Sequence, residues 1–576
     1  MHGRDPAACL VQNGRVVAYV EEERLIRFKH APNIFPIRSI ESCLRIAGLQ
    51  LKDIDFIAYG YDAPRYSNGE IGSFYQQVNS QFPPDPATRG WQERNLSMLS
   101  EKTLRTRLER ELLVHFGAHR IPELRFQPHH RSHAVATFFL SPFEEALVLT
   151  LDGSGDHQCT TLWKGSGNSL ELIRELPIPH SLGWFYSAIT EYLGFSAYDG
   201  EYKVMGLAAY GRENLEIRRA LDRVLLPGPD GAYSLDLRYI HRGTHTYSDR
   251  FTDEMIDLLG IPPRTGRVPL TSVHEDLAFE AQRALEERVL NLLTHCRSAY
   301  GLKNICIGGG VGQNVKMNGR VHASGLFDNI FLFPIPSDSG TSVGAAMGLY
   351  HELTGERPQP LQHVYWGPSY SDEEILEELQ SCGLSFEEMP DIAETVAKLI
   401  ADGKIVGWFQ AGMEGGPRAL GARSILADPR DVGSRDRVNA AIKFREYWRP
   451  FCPSIAEESL DLFVERPVRS PFMIISFKAT EHARRTVPAV VHVDGTVRIQ
   501  TVDKVSNPRF HALLEAFEKV AGVPVVLNTS FNIKGEPIVC SPRDALRTFW
   551  ATGLDALAVG KFLIRKPESP RGVGLQ

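Results

Sequence analysis

Short apolar runs separated by turn residues open the chain: Ala8-Cys9-Leu10-Val11, then Asn13-Gly14, then Val16-Val17-Ala18-Tyr19-Val20. Two such runs joined by Asn-Gly predict a hairpin, because this dipeptide reaches the positive φ values of a tight turn at little cost. Apolar spacing then predicts a helix over residues 40–47, a strand over 54–60 and a helix over 104–116. The rest of the stretch 64–120 is polar, aromatic and arginine-rich, with Tyr66, Phe74, Tyr75, Phe82 and Trp91. It reads either as scaffold or as an insertion that shapes an acceptor pocket or lid.

Three later apolar strands end in small and polar residues. Residues 146–151 run into Asp152-Gly153-Ser154-Gly155-Asp156, residues 304–307 into Gly308-Gly309-Gly310-Val311-Gly312-Gln313-Asn314, and residues 330–333 towards Ser337-Asp338-Ser339-Gly340. Glycines at such ends permit close backbone approach to a phosphate, Asp152 can reach a bound metal or nucleotide, and α/β proteins build sites there. Each aspartate has a second reading as a plain turn residue. A glycine-closed helix over 182–194 and a long one over 273–300 lie between these strands.

Thr354-Gly355-Glu356-Arg357-Pro358-Gln359-Pro360 reads as an interdomain linker, dividing the chain into 1–355 and 356–576. The second part predicts helices over 372–380 and 392–402 and a strand over 405–409. A hairpin is expected over 490–500, turning at Asp494-Gly495 and carrying Arg498. A strand over 523–527 leads into Asn528-Thr529-Ser530, a last helix covers 544–551, and disorder is expected from 567 to 576.

Composition narrows the classes. At 576 residues, 43% hydrophobic and 23% charged, the chain is expected to be a soluble protein of two to four domains. No run of 18 apolar residues could span a membrane, and the N-terminus lacks the apolar core of a signal peptide. Eight scattered cysteines without CxxC fit reduced thiols in a cytoplasmic protein. A net charge of -7 gives no general polyanion signature. Locally the balance reverses: residues 415–449 hold eight Lys/Arg against four acids. Arginines set among glycines suit bidentate phosphate capture, a small phosphate ester fitting better than nucleic acid, while a salt-bridged surface is the plainer reading.

In Pro128-His129-His130-Arg131-Ser132-His133, a helix places His129 and His133 on one face. The pair offers two metal ligands, or else two core histidines. The helix N-terminus favours a neutral ring at His129. The charged run Glu21-Glu22-Glu23-Arg24 through His30 reads as a solvated loop.

Taken together, EEER, KH, HHxxHA, DGSGD, HSLGWFYSAITEYLGF, EYKVMGLAAYG, GGGVGQN, SDSG, GPRALGARSIL, IKFREYWRPF, HVDGTVRIQ and LNTSFNIKGEPIV resemble the O-carbamoyltransferases of antibiotics and nodulation factors. The resemblance implies an α/β and α+β chain, with an actin-like ATPase fold (the threonylcarbamoyl-transferase type) followed by a YrdC-like domain. The second would form carbamoyl adenylate from carbamoyl phosphate and ATP, with Mg(2+) accompanying ATP. The first would take the adenylate by an internal route and carbamoylate a hydroxyl of a small natural product, using Fe(2+) or another divalent metal.

By motif position, the resemblance makes His129, His133 and Asp338 metal ligands. Lys29, Asp152, Gly309, Asn314 and Ser339 would surround the adenylate, with Lys29 and His130 assisting transfer. Arg418, Lys443, Arg449, Arg498, Asn528 and Ser530 would form the activation site. No nucleic acid or membrane partner is implied, and an oligomer is compatible.

One departure stands out. The family has a histidine before its Asp-x-Ala-Ala segment, where this chain has Arg4 before Asp5, and the family's usual first strand is missing: either the start is assigned too far downstream or the sheet lacks an edge. Arg4 could stabilise charge but not act as a base, and His2 is the substitute at hand. Two further readings remain: carbamoyl transfer to a protein thiol of the hydrogenase-maturation type, which adds an acylphosphatase module and CxxC fingers, and a nucleotide-binding module with a dead site.

Overall fold

The computed structural model describes residues 5–117, 120–240, 250–266 and 268–566. They form two compact units: residues 5–26, 30–362 and 474–476 in the first, and 27–29, 363–473 and 477–566 in the second. Both mix helices and strands.

In the first unit, β1 (Ala7–Gln12) and β2 (Arg15–Glu21) pair antiparallel across Asn13-Gly14, as the turn chemistry predicts. The charged run that follows is not a solvated loop. Glu22 and Arg24 are buried in the short helix α1 (Glu22–Ile26), and Arg24 pairs with Glu21 and Glu23. The Glu22 carboxylate accepts bonds from the amides of Arg38 and Ser39, at 3.2 and 2.7 Å, and from the Ser39 hydroxyl. It thereby satisfies the first turn of α2 (Ile37–Ala47), whose Pro36 provides no side-chain cap.

The stretch 64–120 is largely helical, with α3 (Glu70–Gln81), α4 (Pro86–Met98) and α5 (Glu101–Phe116). Next come α6 (His129–Phe139), β3 (Glu145–Gly155), β4 (Gln158–Ser166), β5 (Ser169–Pro177) and α7 (Leu182–Tyr192). After the 29-residue α8 (Ser272–Tyr300), β6 (Asn304–Gly308), α9 (Val315–Ser324), β7 (Asn329–Leu332) and α10 (Thr341–Thr354) complete the unit. Its five-stranded sheet runs β7-β6-β3-β4-β5, parallel from β7 to β3 and antiparallel beyond. Buried Leu147, Val148, Leu149, Ile305 and Ile307 make the middle strands apolar, so the polar residues gather at their ends. Helices α6 and α10 cross in close contact: a Cβ on Gly344 would lie 1.8 Å from the Ser132 carbonyl oxygen.

The second unit contains α11 (Asp372–Ser381), β8 (Glu387–Glu388), α12 (Ile392–Ala401), β9 (Val406–Phe409), β10 (Arg423–Ala427) and β11 (Cys452–Ala456). These are followed by β12 (Gln500–Val502), α13 (Pro508–Ala521), β13 (Val525–Ser530), α14 (Pro542–Trp550), β14 (Ala556–Val559) and β15 (Phe562–Arg565). The eight strands form one sheet in the order β8-β15-β14-β9-β10-β13-β11-β12. Of the hairpin expected over 490–500 the turn forms: the Gly495 amide donates to the His492 carbonyl at 2.9 Å and the His492 amide to the Thr496 carbonyl at 2.8 Å. The strand pairing beyond it is non-local, Thr496–Val497 with Phe477–Lys478 and β12 parallel to β11.

Candidate active site

The first turn of α6 brings together the histidines. The Asp156 carboxylate accepts the His129 amide at 2.8 Å and so caps the helix. The His129 ring is fully buried, and its Nδ1 lies 3.2 Å from the Gly60 carbonyl oxygen. A proton on Nδ1 donates to that oxygen and leaves Nε2 with a lone pair. Facing Nε2 are His133 Nε2 at 3.1 Å, Asp152 Oδ2 at 3.2 Å and Asp338 Oδ1 at 3.7 Å. His133 Nε2 is itself 3.3 Å from Asp152 Oδ2.

The side-chain ligand atoms of these four residues all lie within 4.8 Å of one another. Such a gathering of lone pairs is stable only around a cation or shared protons. Two imidazole nitrogens with two carboxylate oxygens suit a transition divalent such as iron(II) better than magnesium, and the Gly60 carbonyl supplies the usual second contact to a ligand histidine. The residues therefore fit the metal that the family resemblance implies.

The electrostatics carry the same signature. Burial alone would lower His129, but its bond to Asp152 and the charges of Asp338, Asp152 and Asp156 raise it to about 9. The carboxylates thus override the helix N-terminus, which by itself favours a neutral ring. Burial, then the charge of Asp152, raises Asp338 to about 7. Asp152 is held well below the usual carboxylate range by its two histidine partners, against the opposing effect of burial. Burial lowers His133, and lowers His130 further.

Glycines let these groups approach. A Cβ on Gly155 would lie 1.9 Å from His129 Cδ2, and one on Gly310 would lie 2.8 Å from Asp152 Oδ1. Gly309 has φ 83° and packs on the Leu151 carbonyl, so the glycine loop after β6 rests on the strand end that carries Asp152.

The other expected residues divide. Asn314 caps α9 through the Met317 amide and exchanges amide bonds with Gln282 at 2.9 and 3.0 Å. Gln282 in turn meets Tyr186 and Glu286. Ser339 is buried, its hydroxyl 2.9 Å from that of Ser337. His130 turns inwards, Nδ1 lying 2.7 Å from Thr150 Oγ1. Lys29 falls in the second compact unit, not in the one with the donor cluster. Arg4 and His2 lie outside the described residues. A second group, Asp5, Glu23 and His30, sits at the start of the first unit, with His30 Nδ1 2.7 Å from Asp5 Oδ1.

In the second unit, one π-helical turn, Asn439–Lys443, ends at Phe444 with φ 45°. Such turns are rare and recur at functional sites. Lys443 Nζ meets both oxygens of Ser530 and both of Asn532. Burial, with Arg445 and Arg449 nearby, pushes its ammonium well down. Asn528 donates to Ser454 Oγ at 2.8 Å and to the Ala419 carbonyl at 3.2 Å. Its neighbour across the sheet is Cys452, whose sulfur accepts from Arg498 Nε at 2.8 Å. Arg418 and Arg449 are half-buried, the latter 3.7 Å from Glu446.

Arg423 has a different place. It is buried, lies 3.7 Å over the Phe409 ring, and donates to the carbonyls of Gln410, Ala411, Ala422 and Pro368. Glu414, which the sequence did not single out, folds the surrounding loop by accepting the amides of Leu420, Ala422 and Arg423. Gln282 and Asn532 were likewise visible only in three dimensions, whereas the strand-end position of Asp152 signalled that it could reach a metal or a nucleotide.

Two family models match the chain, "Carbamoyltransferase N-terminus" over residues 1–347 and "Carbamoyltransferase C-terminus" over 397–566. An uncharacterized protein, sll1178, of Synechocystis sp. is 38% identical over 98% of this chain and 96% of its own. Nodulation protein NolNO of Sinorhizobium fredii is 40% identical over 98% of this chain and 79% of its own. Among solved structures, component A of the (R)-2-hydroxyglutaryl-CoA dehydratase of Acidaminococcus fermentans aligns at TM-score 0.33 and 14% identity, covering 61% of this chain and 97% of that one, too low for a fold assignment.

Proposed function

The chain belongs to the carbamoyltransferase family, and on that premise we propose that it is an ATP-dependent O-carbamoyltransferase acting through carbamoyl adenylate on a hydroxyl of a small natural product. The observation that carries this reading is the cluster His129, His133, Asp152 and Asp338 at the end of β3, beside the glycine loop.

In this reading the second unit is YrdC-like and activates the donor. Water releases phosphate from carbamoyl phosphate, and an oxygen of the resulting carbamate attacks the α-phosphate of ATP, expelling pyrophosphate. Arg418, Arg449 and Arg498 neutralise phosphate charge during that displacement, and Asn528 and Ser530 orient the carbamate. Lys443, held by four oxygens, fixes the Ser530–Asn532 turn that they share. Mg(2+) enters with ATP.

The first unit, actin-like in this reading, performs transfer. His129, His133, Asp152 and Asp338 hold a divalent metal, iron(II) by donor type. Such a metal would supply positive charge that eases the departure of AMP. Gly309 gives a backbone amide that can approach the nucleotide, and Asn314 and Ser339 border it. His130, kept neutral by burial, supports the ligand face of α6.

The test is release of pyrophosphate from ATP that requires carbamoyl phosphate and is not supported by acetyl phosphate. Equal release with either donor would remove the carbamoyl adenylate reading.

A further inference from the structure

Three neighbouring strands of the second unit, β13, β11 and β12, each contribute one polar side chain to a buried chain of hydrogen bonds: Asn528, Ser454 and Gln500, all at most 2% exposed. The direction of that chain follows from its ends. Gln500 Nε2 donates to the Leu420 carbonyl at 2.8 Å, and a carbonyl only accepts, so the other end of that amide is the oxygen. Oε1 therefore takes the Ser454 hydroxyl proton at 2.6 Å. Ser454 Oγ, its proton spent, accepts from Asn528 Nδ2 at 2.8 Å. The same nitrogen points at the Ala419 carbonyl at 3.2 Å and at Gln500 Oε1 at 3.3 Å. The Asn528 amide is thereby held in one orientation, nitrogen towards the chain and oxygen away from it.

That oxygen is the unsatisfied member. Asn528 Oδ1 is buried and meets no donor among the described residues. A buried amide oxygen in this state gains from any ligand that brings an N–H. Its surroundings are those of the activation site: Asn528 lies across the sheet from Cys452, whose sulfur Arg498 meets, and two residues before Ser530, whose hydroxyl Lys443 meets. An ionised phosphate offers this oxygen no proton, whereas the amine of a carbamoyl group does.

We propose that Gln500 is a positioning residue that selects the carbamoyl donor: through Ser454 it holds the Asn528 amide with its oxygen facing the amine of carbamoyl phosphate and of the carbamate formed from it. The proposal rests on the carbamoyl-adenylate reading above. Gln500 acts only through the direction in which Asn528 presents its amide. Without the glutamine, Ser454 is free to turn its proton on Asn528, the asparagine can rotate half a turn, and an amine then faces an amine. A methyl group in place of the amine, as in acetyl phosphate, leaves the buried oxygen unpaired and is rejected for the missing bond, not for its size. The Leu420 carbonyl also accepts the Tyr365 hydroxyl at 2.8 Å, so the loop that carries Arg418 keeps an anchor when Gln500 is replaced.

The experiment measures kcat and KM for carbamoyl phosphate and for ATP by pyrophosphate release from full-length wild type, Gln500→Met and Gln500→Glu, with melting temperatures as the check on folding. In Gln500→Met, KM for carbamoyl phosphate should rise about tenfold, with kcat and KM for ATP within about twofold of wild type. Gln500→Glu should recover most of that loss at pH 6, where a buried carboxyl stays neutral and reproduces both bonds, donating to Leu420 and accepting from Ser454. At pH 9 the ionised carboxylate only accepts, and its KM for carbamoyl phosphate relative to wild type should rise about tenfold. An unchanged KM for carbamoyl phosphate in folded Gln500→Met, a parallel rise in both KM values, or a Gln500→Glu protein whose KM relative to wild type is the same at both pH values would overturn the proposal. If Gln500→Met fails to fold, the two measurements on Gln500→Glu decide alone. Wild-type protein that releases no pyrophosphate with carbamoyl phosphate would remove the carbamoyl-adenylate reading, whereas release in wild type with unaltered variants removes only the role of Gln500.

Discussion

Nε2 of His129 and Nε2 of His133 lie 3.1 Å apart, and Asp152 Oδ2 sits 3.2 Å from the first and 3.3 Å from the second. Three donor atoms at those separations could hold a cation, and several outcomes are expected from that relation.

Metal content should follow the four donors. His129→Ala, His133→Ala, Asp338→Asn and also Asp152→Asn are each expected to lower the metal retained after purification by about tenfold or more, read by elemental analysis. Full retention in Asp152→Asn would return that residue to the nucleotide alone.

Affinity for the metal should climb with pH. Without a cation, His129 titrates at about 9 and Asp338 at about 7, so below 7 both carry protons that a metal must displace. Chelator competition should show the steepest gain below pH 7, a shallower one up to 9, and proton release on binding. A flat profile would contradict the ligand set.

Gly155→Ala should remove metal without touching a ligand. Its Cβ would fall 1.9 Å from His129 Cδ2, forcing the ring away. The overpacking costs about 1–3 kcal/mol, measured as a lowered denaturation midpoint alongside lost metal. An unchanged midpoint with full metal would mean the strand end yields freely.

Arginines in the basic stretch should separate by role. Arg423→Gln strips a buried guanidinium from four carbonyls and should cost about 3 kcal/mol of stability. Arg449→Ala removes a half-buried guanidinium 3.7 Å from Glu446 and should cost less stability than Arg423→Gln while abolishing pyrophosphate release. Equal denaturation midpoints for the two variants would count against this division.

Local chemistry was legible in the sequence, and non-local chemistry was not. Asn13-Gly14 announced its hairpin, and the glycine after Tyr300 announced the end of α8, because both depend on neighbouring residues. Asp494-Gly495 announced its turn, but not that the segments beyond it pair with Phe477–Lys478 and with β11 from far along the chain. The histidine pair and Asp338 were legible as strand-end and helix-face residues, and the structure brings them together. Nothing local marked Glu22 as the buried cap of α2, or told Arg423, sunk against Phe409, from half-buried Arg418. Burial is set by the whole fold, whereas charge patterning speaks only for the segment.

The central claim is that activation and transfer use separate groups in one chain. It is tested most directly by pyrophosphate release and acceptor carbamoylation, measured together in wild type, His129→Ala and Arg449→Ala with ATP and carbamoyl phosphate. The account predicts that His129→Ala releases pyrophosphate but makes no carbamoylated product, and that Arg449→Ala does neither. Loss of pyrophosphate release in a folded His129→Ala protein, or its persistence in Arg449→Ala, would contradict it.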